Sequence, residues 1–294
     1  MKLLVFGKDG QIGSALCRQM ASRDGVMFLG RQDVDLQDLD TLRKRIVQES
    51  PDLVINAAAY TAVDRAESEP ALAHTINADA PRVMAESAQE ISAWLIHYST
   101  DYVFDGRADR CYVETCETKP VNVYGRTKLA GEEAVQRAGD RYVIVRTSWV
   151  YALQGHNFLN TILRLAQKAA PLRIVDDQRG SPTSADAIAR GTVGLVDRIH
   201  NAPVESGVYH MSCGGETTWF GFANEIVRVR GLEGVRVQPI TTADFPTPAE
   251  RPRYSVLSNA KLSKTFGIEL PHWREALIDT LSQVDHPQKT SARC

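Results

Sequence analysis

Leu3-Leu4-Val5-Phe6-Gly7-Lys8-Asp9-Gly10-Gln11-Ile12-Gly13 is the stretch on which the fold turns. Four apolar residues make a strand-length run, and Gly7 stops it. From Gln11 the apolar positions Ile12, Ala15, Leu16 and Met20 follow the helical period. The spacing of Gly7, Gly10 and Gly13 is GxxGxxG, set between a strand and a helix. Glycines there permit positive φ and close approach of backbone to a pyrophosphate, and the first helix amides face the anion. Turns need glycine anyway, so the pattern alone is weak. At the first strand–helix junction of a βαβ repeat it reads as a dinucleotide turn.

That repeat continues outward from the junction. Val26–Leu29 is a second apolar run, closed by Gly30, and Asp38 caps a helix carrying Leu39, Leu42, Ile46 and Val47. Leu53–Asn56, Ala93–Tyr98 and Tyr142–Val145 follow as runs three to five, the last after a helical stretch from Val123 to about Ala138. Continuous apolar runs of this length mark strands buried on both faces, as a parallel sheet requires. The expected class is α/β: a Rossmann-type doubly wound parallel sheet with a smaller C-terminal α/β substrate lobe.

After about residue 150 the rhythm changes. A helix is expected near Asn157 to Lys168, a strand at Leu172–Val175 and a helix from about Ser184 to Ile199. Past Gly207 strands become scarce, and Pro246, Pro248 and Pro252 favour an extended loop over Phe245–Pro252. The cofactor domain is therefore expected over 1–150 with about 184–205. The second lobe takes about 151–183 and 206–285, and a flexible tail 286–294.

Composition bounds the partners. Thirty-four basic against 36 acidic residues give a net charge of −2 over 294 residues, so there is no basic excess to neutralise a nucleic-acid backbone. No apolar stretch approaches the roughly 20 residues of a membrane span, and the N-terminal apolar run is too short for a signal peptide. Cys17, Cys111, Cys116, Cys213 and Cys294 are odd in number and form no CxxC pair. They indicate a reducing compartment, and a cytoplasmic location is expected. Cys111 and Cys116 are close enough to pair only by accident. The seven histidines show no metal-ligand spacing and no GxSxG elbow is present, so neither zinc nor hydrolase chemistry is expected and no metal site is assigned.

Three places carry chemistry. At the end of the second run stand Gly30-Arg31, with Asp33 and Asp35 following. An arginine there suits a 2′-phosphate and an acid suits a ribose hydroxyl. Arg31 thus favours NADPH, while NADH stays open and a solvated loop arginine is the plain alternative. Tyr124-Gly125-Arg126-Thr127-Lys128 puts Tyr and Lys on one helical face. A neighbouring ammonium favours the phenolate, bringing the phenol toward acid–base work near neutrality. Such a pair on any amphipathic helix means little, but after a dinucleotide turn it is a strong signal. Beyond the fourth run, Thr100 is placed to hydrogen-bond a substrate carbonyl, or simply to cap the next segment. Ser99 is the rival hydroxyl, but adjacent strand residues point to opposite faces. His97 reads as a satisfied structural histidine.

FGKDGQIG (6–13), INAAAYTAVDRAESEP (55–70), HYSTDYVFDG (97–106), NVYGRTKLAGE (122–132), RTSWVYA (146–152) and FPTPAERP (245–252) together resemble the extended short-chain dehydrogenase/reductases. Within them the resemblance is to the dTDP-4-dehydrorhamnose reductases, over nearly the whole chain. The resemblance implies NAD(P)H-dependent reduction of the C4 keto group of dTDP-4-dehydro-L-rhamnose to dTDP-L-rhamnose, with Thr100, Tyr124 and Lys128 catalytic. It implies that Gly10, Gln11 and Ile12 contact the cofactor pyrophosphate and that Ala59, Tyr60 and Thr61 line the cofactor, with Tyr124 and Lys128. Gly7 and Gly13 join them from the glycine turn, and Arg31, Asp35 and Leu36 from the end of the second run, where Arg31 is a departure from family members that carry an acid and so favours NADPH. The substrate side falls to Val63, Thr100, Asp101, Tyr124 and Trp149, with Arg179, Arg251 and Arg253 as candidate cations for the diphosphate. A reductase of another nucleotide-linked deoxysugar and a non-catalytic binding relative are the alternatives. Some members of the family form a magnesium-bridged dimer through glutamates, one on the first helix. Here Ala15 stands in that region and Asp186 is a single acid, so the metal-bridged dimer is not expected and a homodimer without it stays open.

Overall fold

Leu3–Phe6 (β1) is buried at every position, and its alternation divides the core. Leu3 and Val5 pack on one face of the sheet, while Leu4 and Phe6 pack on the other. The computed structural model describes residues 1–167, 171–202, 204–232 and 234–285. β1 runs parallel to Val26–Leu29 (β2) on one side and to Leu53–Asn56 (β3) on the other. Trp94–Thr100 (β4) and Tyr142–Thr147 (β5) extend the sheet from β3, also in parallel. The chain thus leaves β1 in one direction and returns at β3 in the other. The crevice at this switch point, beyond the carboxyl ends of β1 and β3, is where such sheets bind ligands.

The described helices are Gln11–Gln19 (α1), Leu39–Glu49 (α2), Val63–Ala66 (α3), Pro70–His74 (α4), Ala80–Glu90 (α5) and Val123–Ala138 (α6). They continue as Phe158–Leu165 (α7), Ala185–Asn201 (α8), Trp219–Val229 (α9), Ala260–Phe266 (α10) and Trp273–Asp285 (α11). α1 and α8 cover the Leu3/Val5 face through Ala15, Leu16, Ile188 and Leu195. α2, α5 and α6 cover the other through Leu42, Ile46, Met84 and Val135. Side chains start the helices where chain chemistry allows: Asp38 accepts from Thr41 N, Asn122 from Gly125 N and Ser184 from Ala187 N. A separate core of Tyr151, Leu159, Ile162, Phe222, Trp273 and Leu277 sits under α7, α9 and α11. Beside it are the short paired strands Leu172–Val175 with Val237–Ile240 and Arg179–Gly180 with Thr217–Thr218.

The structure departs from expectation in several places. Gly207–His210, which the sequence puts with the second lobe, pairs in parallel with β5 as the sixth strand of the main sheet. Four residues opening on glycine leave little periodicity to detect. The strand holds because its free edge is covered: Glu114 accepts from His210 N at 2.9 Å, and Lys261 Nζ donates to Val208 O at 2.8 Å. β4 runs two residues past Tyr98, so Thr100 ends the strand and pairs with Thr147. The helix expected to reach Lys168 ends at Leu165, and Lys168 and the tail from His286 lie outside the described residues. Cys116 Sγ accepts from Val113 N at 3.4 Å and makes no disulfide with Cys111. No helix among the described residues is long and apolar enough to cross a membrane.

Candidate active site

The glycine turn is shaped by close approach. Gly7 has φ +90°, and a Cβ on it would lie 2.7 Å from the backbone of Ala57 and Ala58, across the switch-point crevice. A Cβ on Gly13 would meet Gly7 O at 1.9 Å, so α1 can pack this tightly only with glycine there. Gly10 is the N-cap of α1 and brings no side chain to the first amides, which leaves them for an anion. Gln11 is anchored from the second lobe, where Asn157 Nδ2 donates to its Oε1 at 2.8 Å. This cradle fits a dinucleotide pyrophosphate.

At the end of β2, Arg31 is 77% exposed and lies 3.6 Å from Asp35. Lys8 instead pairs with Asp33 at 2.9 Å, and Asp33 also accepts from Gly30 N. Leu36 is buried in the α2-side core, which leaves only its backbone to face a ligand. After β3, Ala59 and Tyr60 are half-buried and Thr61 is exposed. Tyr60 N–H donates to Asn77 Oδ1 at 2.8 Å, and Asn77 Nδ2 donates to Thr127 Oγ1 at 3.1 Å. Asn77 lies in a π-turn, Thr75–Asp79, and so ties the loop after β3 to α6. The sequence reading missed it, because a π-turn has no spacing signature of its own.

The carboxyl end of β4 gathers the acid–base groups. Thr100 Oγ1 accepts from Tyr102 N and donates to Asp101 Oδ1 at 3.1 Å, so it caps the following turn and faces the site at once. Ser99 points away and donates to Glu132. Glu132 is held by Arg146 in a fully buried pair, with Nη2 to Oε2 at 2.6 Å. Asp101 is 2% exposed, and burial raises its carboxyl to about 7. Tyr124 stands edge-on to Tyr102 with ring centroids 5.5 Å apart. Burial pushes its phenol up to about 12; the Thr100 hydroxyl opposes that rise and Asp101 adds to it. Lys128 Nζ donates to Tyr98 O at 2.6 Å and lies 3.5 Å from His97 Nε2. Burial lowers its ammonium to about 8, against the opposing pull of Glu132. The expectation that Lys128 draws the phenol toward neutrality is therefore corrected. The two residues share a helix face, but the amine is turned onto β4 and burial governs the phenol.

The residues expected to meet a substrate come from distant parts of the chain. Val63 opens α3, half-buried. Trp149 adopts φ +46°, a left-handed conformation that costs a non-glycine residue roughly 1–2 kcal/mol. Its indole lies flat on Trp219, which the sequence reading did not single out because it arrives from a distant helix. Among the candidate cations, Arg251 is engaged by Asp64 through Nη1 at 2.5 Å and Nη2 at 2.7 Å. Arg179 pairs with Glu216 at 3.2 Å, and Arg253 is exposed. Asp186 is held by Arg18 at 2.8 Å, and no cluster of three or more metal-ligating side chains occurs among the described residues.

A parallel sheet with a glycine cradle at its switch point, Thr at a strand end and Tyr and Lys on the first turns of the neighbouring helix defines a Rossmann-type reductase of the short-chain class. Residues 1–286 match the family described as the RmlD substrate binding domain, and the chain belongs to that family. It is 46% identical to a dTDP-4-dehydrorhamnose reductase of Burkholderia thailandensis, over 96% of this chain and all of that protein. It is 39% identical to the Escherichia coli K12 protein of the same name, over 97% of this chain and 98% of the relative. Among solved structures, the Bacillus anthracis dTDP-4-dehydrorhamnose reductase in complex with NADP superposes with a TM-score of 0.90 at 34% identity, covering 96% of this chain and 100% of that one.

Proposed function

We propose that this protein reduces the C4 keto group of dTDP-4-dehydro-L-rhamnose with NADPH, giving dTDP-L-rhamnose. The observation that carries the reading is the convergence of Thr100, Asp101, Tyr124 and Lys128 at the carboxyl end of β4, beside the Gly7–Gly13 cradle. A bound reduced nicotinamide supplies the hydride for C4. Gly10, Gln11 and Ile12 would hold its pyrophosphate at the α1 N-terminus, Ala59, Tyr60 and Thr61 its inner flank, and Arg31 a 2′-phosphate.

Tyr124 is the proton donor. Its raised phenol stays protonated at neutral pH, as a group must that is to give a proton to a newly formed alkoxide. Thr100, positioned by the Tyr102 N–H that its oxygen accepts, turns its one hydroxyl hydrogen from Asp101 Oδ1 to the same oxygen. Lys128 would hold the nicotinamide ribose hydroxyls. Val63, Asp101 and Trp149 shape the sugar-nucleotide pocket. Residues 1–150 with 184–205 form the cofactor domain, to which Gly207–His210 contributes its edge strand. The rest of 151–285 closes over the sugar nucleotide, and the cytoplasm, where such nucleotides are made, is the proposed location. We assign no metal-bridged dimer: Ala15 has no ligand atom and Asp186 is already paired.

Incubation with dTDP-4-dehydro-L-rhamnose and NADPH should oxidise the cofactor and yield dTDP-L-rhamnose. A folded sample that oxidises no NADPH with this substrate removes the assignment.

A further inference from the structure

Asn56 and His97 lie in a row behind the Lys128 amine, and all three side chains are 2% exposed or less. The row has a direction. Ala58 N–H donates to Asn56 Oδ1 at 3.1 Å, which orients the amide. Its Nδ2 therefore faces His97 Nδ1, at 3.0 Å. An amide nitrogen offers only hydrogens, so Nδ1 must accept, and the hydrogen of the neutral ring must sit on Nε2. Nε2 in turn faces Lys128 Nζ at 3.5 Å, while Nζ gives a hydrogen to Tyr98 O at 2.6 Å.

We propose that His97 is a positioning residue for Lys128: its Nε2–H, aimed by Asn56, presents a donor to the amine and so weakens the amine's hold on its proton while fixing its place against β4. This deepens the reading of Lys128 given above and rests on it. An ammonium has three hydrogens and nothing to accept with, so it opposes the imidazole N–H; a neutral amine accepts it.

The groups facing the pair agree with that assignment. From β3 comes Asn56, from β4 the Tyr98 carbonyl, and from α6 the Glu132 carboxylate one turn beyond Lys128. Glu132 is the opposing charge, but it is shared with Arg146 and Ser99. Burial and the Lys128 charge hold the His97 imidazolium well below the ordinary histidine range, so the ring is neutral at physiological pH.

The decisive measurement is nitrogen-15 NMR of the histidine rings in the wild-type protein. His97 should show a protonated Nε2 and an unprotonated Nδ1 at neutral pH; the opposite tautomer or an imidazolium overturns the proposal. Asn56→Asp then tests the relay. A carboxylate accepts from both Ala58 N and a protonated Nδ1, which converts Nε2 to an acceptor. The Lys128 titration, followed at its ε-carbon, should move up by about one pH unit or more. The same Asn56→Asp change in a His97→Phe background separates relay from added charge: most of the shift should vanish, and its persistence in full overturns the proposal. These measurements use neither cofactor nor substrate, so a failed reductase assay and a failed relay remain distinct results. If a variant does not fold, the wild-type tautomer still decides.

Discussion

Trp149 and Trp219 stack with ring centroids 3.5 Å apart and planes 3° from parallel. Gly180 lies under the same indole, where a Cβ would approach Trp149 Cε2 to 2.4 Å. A strained tryptophan is thus held between a second ring and a bare backbone, which is how strain persists at a site. Trp219 itself is fixed by its Nε1–H to Gln178 Oε1 at 3.1 Å.

Trp219→Ala should therefore loosen Trp149 without touching the acid–base groups. Loss of an aromatic pair is worth ~0.5–1.5 kcal/mol beyond area. The KM for the sugar nucleotide should rise several-fold with kcat little changed. A fall in kcat at unchanged KM would remove the Trp149 pair from substrate binding.

Tyr124→Phe keeps the ring and removes the transferable proton. Turnover should fall by at least ~10²-fold while the Kd for NADPH, followed by fluorescence, stays nearly constant. Near-normal turnover would take Tyr124 out of the donor role.

Asp101 supplies a pH test of stability. Its carboxyl is near 7 in the fold and ordinary when unfolded, so the folded state binds the extra proton. Its contribution is fully present below the ordinary carboxylate range and is lost as pH rises to about 7. Asp101→Asn removes that loss. The variant should melt a few degrees above wild type at pH above the Asp101 value, with the difference shrinking toward the acid side. A constant difference across that range would contradict the burial argument.

Glu132 and Arg146 form a buried pair whose members are costly to leave alone. Glu132→Ala should lower stability by ~3–5 kcal/mol in urea unfolding, since it strands the Arg146 guanidinium in the core. Removing both charges, Glu132→Leu with Arg146→Met, should recover much of it. A loss as large in the double variant would show that packing rather than charge dominates.

Arg31→Ala addresses cofactor choice. Arg31 is exposed at the end of β2 with only a loose partner in Asp35, so it is available to a phosphate. The KM for NADPH should rise far more than that for NADH. Equal effects would mean that Arg31 does not meet the 2′-phosphate.

Local rules made much of this protein legible from its residues alone. The five apolar runs, the glycine junction and the cap at Asp38 depend on neighbours within a turn, so they appear in the chain as spacing. Tyr124 and Lys128 share a helix face for the same reason. Strand alternation likewise sends Ser99 and Thr100 to opposite sides, one to Glu132 and one to Asp101. Long-range contact decided the rest. Gly207–His210 is a sheet strand because β5 offers an edge, and Trp219 matters because α9 brings it to Trp149. The protonation of Tyr124, Lys128 and Asp101 follows from burial, which no spacing reveals, because desolvation depends on everything packed around a charge. His97 shows the division most clearly. Its place at the end of an apolar run reads as structural, and only the fold sets Asn56 on one side of the ring and Lys128 on the other.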